Sequence, residues 1–229
     1  MKKLKFLGGM LVAGLLLNAC LDTDDGNTNQ IPEEIGWLAF VNASPDSERL
    51  FFFANDKIIN NEGLPYERLF GYIYQNTGAL SLKVKTASSD FLDTININLQ
   101  KGDMYSVYAI NEFDDLKLKL YSDQHTLPDA EKSMLRFIQL SPDAPHLRLE
   151  IEGVSTNFGN FFYTDHSSFI EFDGGFNKKI YLIDEVTNDT ILSKSANFHK
   201  GKSYSLFSKG FVNTTDADEQ LDIQVIPFQ

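Results

Sequence analysis

From about residue 36 onward, hydrophobic residues fall in short runs that alternate with polar ones and are cut by turn formers. Patterning with a period of two predicts β-strands. The runs are 37–43, 49–54, 80–86, 93–99, 105–110 and 116–121, then 135–140, 147–151, 179–183, 190–195, 204–208 and 221–226. Ser-Pro-Asp, Asn-Thr-Gly, Lys-Gly and Asp-Gly-Gly punctuate them. No stretch holds a helical period over several turns, and only 64–70 and 164–168 read as short helical turns. The chain before residue 36 has a different pattern. Lys2, Lys3 and Lys5 precede an apolar stretch from Phe6 to Leu17 that is too short for a membrane-spanning helix of about 20 residues.

The strand pattern occurs twice. Leu38-Ala-Phe-Val-Asn-Ala-Ser-Pro-Asp46 lies over Leu135-Arg-Phe-Ile-Gln-Leu-Ser-Pro-Asp143 at an offset of 97. Lys101-Gly-Asp-Met-Tyr-Ser106 lies over Lys200-Gly-Lys-Ser-Tyr-Ser205 at an offset of 99. Near-constant offsets mean two copies of one unit. The expected organisation is a signal segment 1–19, a tether 20–35, a first repeat 36–123, a linker 124–132 and a second repeat 133–229. Six or seven short strands in each copy predict an all-β fold of two tandem immunoglobulin-like β-sandwiches. Lys-Gly-x-x-Tyr, ending at Tyr105 and Tyr204, looks like a tyrosine corner, in which the hydroxyl bonds back to upstream backbone. Ser44-Pro45-Asp46 and Ser141-Pro142-Asp143 read as structural turns, because Pro presets φ and Ser and Asp side chains bond nearby amides.

Leu17-Asn-Ala-Cys20 resembles a bacterial lipobox, and Cys20 is the only cysteine. The resemblance implies cleavage before Cys20 and its acylation, and two or more acyl chains hold a protein stably at a membrane. The segment after it, with Asp22, Asp24 and Asp25, is too polar to order itself and reads as a tether. The acidic cluster resembles the surface-export signal of Bacteroidota lipoproteins. The implied localisation is a lipid anchor at the outer membrane, facing outward. The pattern around 39–46, with the later Lys-Gly-x-x-Tyr-Ser-Val-Tyr-Ala, resembles the family called domain of unknown function 4397. That resemblance implies tandem β-sandwich repeats over most of 36–229 and brings no catalytic residues with it.

A formal net charge of −12 argues against sequence-independent binding to nucleic acid, which needs a basic face. It also leaves the lipid, rather than charge, to hold the chain at an anionic membrane surface. One cysteine excludes an intramolecular disulfide, and His125, His146, His166 and His199 have no zinc-site spacing. Nucleophile-elbow, P-loop and dinucleotide motifs are missing from the sequence. No metal, cofactor or catalytic residue is therefore expected. Asp93-Thr-Ile and Asp189-Thr-Ile resemble a Bacteroidota O-glycosylation acceptor, and shared strand-start geometry explains them equally well.

One strand points to a binding surface. In the second copy Leu147, Leu149 and Ile151 alternate with Arg148, Glu150 and Glu152. In the first, the core face is Leu50, Phe52 and Ala54, so Phe51 and Phe53 stand where the second copy has charges. Leaving two rings in water forgoes about 1.5–3 kcal/mol of burial each. The face is expected to be covered by the second copy, by an external partner, or by a local loop such as 64–70. The reading is a non-catalytic surface lipoprotein. It would act in protein interaction or adhesion, or as an accessory to an outer-membrane complex, with a protein partner at the membrane. Carbohydrate binding, with a glycan as partner, is the alternative.

Overall fold

In the computed structural model, which describes residues 34–228, each repeat folds as two four-stranded sheets packed face to face. The protein is all-β, and among the described residues its one helical element is the 3-10 turn Phe113–Asp115. The first repeat comprises β1 (Ile35–Asn42), β2 (Phe51–Ala54), β3 (Lys57–Ile58), β4 (Leu69–Asn76), β5 (Gly78–Lys85), β6 (Asp93–Leu99), β7 (Met104–Ile110) and β8 (Lys117–Ser122). The second comprises β9 (Ser133–Gln139), β10 (Leu147–Ile151), β11 (Asn160–Phe161), β12 (Ile170–Phe172), β13 (Gly175–Asp184), β14 (Thr190–Phe198), β15 (Ser203–Lys209) and β16 (Asp222–Pro227). The signal segment and Cys20 lie outside the described residues. Of the expected tether, Glu34 and Ile35 belong to the fold: Ile35 opens β1, and Glu34 pairs with Lys101 at 3.0 Å.

Strand order is the same in both copies. In the first, one sheet runs β4-β1-β7-β8 and the other β3-β2-β5-β6; in the second the orders are β12-β9-β15-β16 and β11-β10-β13-β14. The central pair β1 and β7 is parallel, as is β9 with β15. The sandwich architecture is the expected one, but the wiring is distinct. An immunoglobulin sandwich keeps its first two strands in one sheet, whereas here β1 and β2 lie in opposite sheets. The segments expected as helical turns are corrected by the structure. Within 64–70, Leu64 bridges Leu50 and β4 begins at Leu69; within 164–168, His166 bridges Ile138. β4 was hidden in the sequence because it alternates only between exposed and half-buried positions, as an edge strand does.

Each sandwich has its own core. Leu38, Phe40, Phe52, Leu82, Val84 and Val107 fill the first, and Leu135, Phe137, Leu149, Leu182, Phe198 and Leu206 the second. A third cluster joins the copies. It takes Val41, Ala43, Tyr108, Ile110 and Tyr121 from the first and Ile138, Leu140, Phe207 and Ile226 from the second. The sheets β4-β1-β7-β8 and β12-β9-β15-β16 therefore face each other as inner layers, and the other two sheets lie outside. The same face of each copy is used. Tyr108 and Phe207, equivalent at the offset of 99, meet edge to face at 5.4 Å. Both faces of the central strands are thus covered, so all seven residues of β9 and of β15 are buried.

Candidate binding surfaces

The junction between the copies encloses an ion pair. Arg136 on β9 donates to the Asp123 carboxylate, to Ser205 Oγ at 2.6 Å and to the Ser122 carbonyl at 2.5 Å. Asp123 also accepts from Tyr72 at 2.5 Å and Ser106 at 2.7 Å. Ser106 and Ser205 are equivalent positions, one serving the anion and the other the cation. Arg136 is 1% exposed and lies over the Phe169 ring at 5.0 Å. Burial pushes the Asp123 carboxyl upward, opposed by Arg136 and by the Tyr72 and Ser106 hydroxyls. Burial and the Asp123 charge also raise the Tyr72 phenol, and burial raises Tyr108 to about 12.

Beside this pair lies a cleft of about 640 Å³ between the inner sheets. Leu69, Met104, Leu127, Ile226 and Phe228 supply apolar walls, and His125, Lys202 and Ser203 also line it. Ser203 is 3% exposed, and its hydroxyl makes no protein hydrogen bond. The cleft was not legible in the sequence. Its lining comes from both repeats and meets only when the inner sheets pack.

The outer face of the first repeat carries Phe51 and Phe53. Leu50, Phe52 and Ala54 are buried, and the two rings between them are half-buried on the opposite side. The second copy does not cover them, because its contact lies on β1, β7 and β8 of the other sheet. The cover is local. Phe91, from the β5–β6 connection, meets Phe53 edge to face at 5.2 Å. Lys85 lies over both rings at 5.9 and 5.8 Å, and Lys83 over Phe91 at 5.0 Å. Phe51 sits under Gly63, where a Cβ would stand 3.1 Å from the ring, so the loop approaches this closely only with glycine. The register places Ile58, Phe53, Lys83 and Thr94 in one row across the sheet. Asn96 and Asn98 share that face, and Phe91 stays 45% exposed. Lys83 pairs with Asp56 at 2.6 Å, while Lys85 makes no ion pair among the described residues.

The turn motifs act over longer distances than expected. Asp46 accepts from the Phe113 amide, and Asp143 from the Val212 and Asn213 amides. Each aspartate thus anchors the loop after the parallel central strand of its own repeat, 67 to 70 residues further along. The Ser44 and Ser141 hydroxyls make no protein hydrogen bond, so the nearby-amide role expected of them is corrected. The preceding amides do that work instead: Asn42 accepts from the Ser44 N–H and Gln139 from the Ser141 N–H. Pro45 is buried and Pro142 half-buried.

The two tyrosines differ. Tyr204 Oη accepts from the His199 amide at 2.7 Å, five residues upstream. At the equivalent place in the first repeat, the Gln100 amide donates to Asp103 Oδ2 at 2.8 Å. Asp103 thus takes the amide that Tyr204 takes in the second repeat, and among the described residues no hydrogen bond joins Tyr105 to upstream backbone, which corrects the corner expected there. Asp103 stands where the second copy has Lys202, and a carboxylate accepts an amide that an ammonium cannot. Gly102 and Gly201 hold positive φ in both turns, at 80° and 70°.

Among the described residues, no group of three or more His, Cys, Asp or Glu is placed to hold a metal ion, and no helix is long and apolar enough to cross a membrane. His125 stacks on Phe169 at 4.2 Å and His146 on Phe162 at 3.9 Å, while His166 and His199 are exposed. Thr94 and Thr190 are both exposed at the start of edge strands.

A family model described as "Domain of unknown function (DUF4397)" matches residues 36–150, the whole first repeat and the chain into β10. Comparison with curated proteins finds no match. Among solved structures, one concerns α-glucan binding by a streptococcal virulence factor, at 14% identity and TM-score 0.27, covering 75% of this chain and 92% of that one. Another is a family 26 carbohydrate-binding module of Eubacterium rectale Amy13K in complex with maltoheptaose, at 10% identity and TM-score 0.26, covering 84% and 96%. A third is the fimbrial anchor protein Mfa2 of Porphyromonas gingivalis, at 8% identity and TM-score 0.25, covering 84% and 97%. Likenesses this remote carry no argument about function.

Proposed function

The chain belongs to the DUF4397 family, and from that premise we propose that it is a non-catalytic surface lipoprotein that presents a binding face to a protein partner. The proposed organisation is a signal segment 1–19, an acylated Cys20 with its tether, and the two sandwiches joined through 124–132. The tether would hold the sandwiches at the outer membrane, facing outward.

The outer face of the first repeat carries this reading. There Phe53, Phe91, Ile58 and Lys85 form an apolar and cationic surface on a chain of net charge −12. Apolar patches rimmed by charge mark contact sites, and desolvated aromatic anchors dominate such contacts. Cross-linking on intact cells, followed by capture of the protein, tests it. The Phe91→Ser, Lys85→Glu double variant should lose a co-purifying outer-membrane protein while keeping its β-sheet circular dichroism. Undiminished capture by the folded variant would remove this face from the proposal. Cys20→Ala should move the protein out of the membrane fraction, and a variant still found there would overturn the lipid anchor.

Carbohydrate binding is the second reading. It is favoured by the exposed Phe91 ring beside Lys83 and Lys85, on a sheet face along which Asn96 and Asn98 follow. A glycan array probed with the same double variant separates the two readings.

A further inference from the structure

We propose that the end of the sandwich pair at which the chain enters lies on a lipid surface, with Leu127 and Phe176 seated among the headgroups; this builds on the Cys20 anchor proposed above. The strands fix which end that is. β1 and β7 run parallel, as do β9 and β15, so the central strands of each repeat start at one end. Both repeats point the same way. Met104 and Ser203, which open β7 and β15, line one cleft, while Glu67 and Lys209, at the far end of these strands, pair at 2.6 Å. Glu34, where the described chain begins, is at the first end, held by Lys101 at 3.0 Å. Thirteen residues lie between Cys20 and Glu34, and they span at most about 50 Å. An anchored chain therefore keeps this end near the bilayer.

Apolar side chains stand open at that end. Leu127, in the linker 124–132, is 84% exposed, and Phe176, at the start of β13 beside His199, is 75% exposed. Tyr74 is 47% exposed and meets Trp37, its partner across β4 and β1, edge to face at 6.2 Å. Tyr and Trp suit a lipid–water boundary, where one end of the ring is dry and the other wet. The apolar area buried there sets how strongly a surface-bound protein holds. Val186 and Phe162 are exposed at the opposite end, so charge and the point of entry decide which end meets lipid. At the entry end, Glu34, Glu131 and Asp173 are paired with Lys101, Lys200 and Lys132, and Lys202 makes no ion pair among the described residues. The opposite end carries Asp46, Asp114, Asp115, Asp216, Asp218 and Glu219. Of these Asp115 pairs with Lys117, and the rest make no ion pair among the described residues. Burial, then the charges of Asp216, Asp46 and Asp218, push the Glu219 carboxyl upward, so acids of both repeats converge there. A bilayer containing anionic lipid repels that end and leaves the entry end to approach.

Cys20 is the only cysteine, and acylation removes its thiol, so a second cysteine can be labelled alone. Thr126→Cys, beside Leu127, and Val186→Cys, at the acidic end, each take the dye nitrobenzoxadiazole in the acylated full chain. The chain is reconstituted in vesicles of phosphatidylcholine and phosphatidylglycerol. Nitroxide-labelled phosphatidylcholine should quench the dye at 126 at least twofold and leave the dye at 186 unchanged. Leu127→Ser with Phe176→Ser should remove the quenching at 126 while the protein still floats with the vesicles, because both side chains are exposed and the acyl chains keep the anchor. In protein that floats, equal quenching at the two places would overturn the proposal. So would no quenching at 126, or quenching indifferent to the double variant. Protein that does not float would overturn the anchor itself, and this proposal with it.

Discussion

The two repeats share strand order, parallel central pairs and turn anchors, yet their corresponding faces have diverged. On the outer sheet of the second, Arg148 is held by Glu150 at 3.0 Å and Glu185 at 2.5 Å, so its charges are satisfied within the face. On the first, rings replace two of those charges, and Lys85 is left without an ion pair among the described residues. The inner faces diverge as well. Ala39 of the first repeat corresponds to Arg136 of the second, and only the latter brings a charge into the junction. A duplicated scaffold can change any residue whose side chain leaves the sandwich core, because the core alone sets the strand order. The faces outside it are free to become a junction in one direction and a contact surface in the other.

The sharpest way to break the comparison is at the junction. Arg136→Ala leaves Asp123 buried without its counter-charge and should cost about 3–5 kcal/mol in urea denaturation. Joint replacement by Arg136→Met and Asp123→Leu should recover most of that, since an apolar pair of similar volume is often neutral or stabilising. A single-variant loss under about 1 kcal/mol would show that the ion pair does not hold the repeats together.

Next in size is an alkaline effect. The Tyr108 phenol titrates near 10 in the unfolded chain and at about 12 when folded. Its burial therefore stabilises fully below pH 10, and that contribution is lost as pH rises through 12, by about 2–3 kcal/mol. Tyr72 and Tyr121 are raised too and act in the same direction. Denaturation midpoints measured from pH 9 to 12 should fall with pH, and Tyr108→Phe should flatten the slope. A flat profile in the unaltered protein would contradict the buried phenol.

The smallest effect separates the two turns. Tyr204→Phe should cost about 1 kcal/mol, the net worth of one hydrogen bond to backbone. Tyr105→Phe should cost clearly less, because Asp103 already takes the equivalent amide. Equal losses would mean that the two corners work alike. Thermal or chemical midpoints of the single variants decide it.

Local pattern was enough for several features. Alternation in 49–54 and 147–151 separated the core side of β2 and β10 from the outer side, because a strand's neighbours on the chain point to opposite faces whatever the sheet does. The offsets of 97 and 99 exposed the duplication, because both copies solve the same turn problems with the same residues. Edge strands β4 and β12 escaped, since half-exposed residues leave a weak period. Tertiary structure alone decided which of the two sheets meets the other repeat, and so made Val41, Tyr108, Ile138 and Phe207 a third core. It alone brought Asp123 to Arg136 and closed the cleft beside them. The physical reason is that a central strand buried on both sides shows no outward-facing polar side, as in the run Leu38–Val41. Such a run states that something covers each face without naming what does, and the cover comes from residues about a hundred positions away.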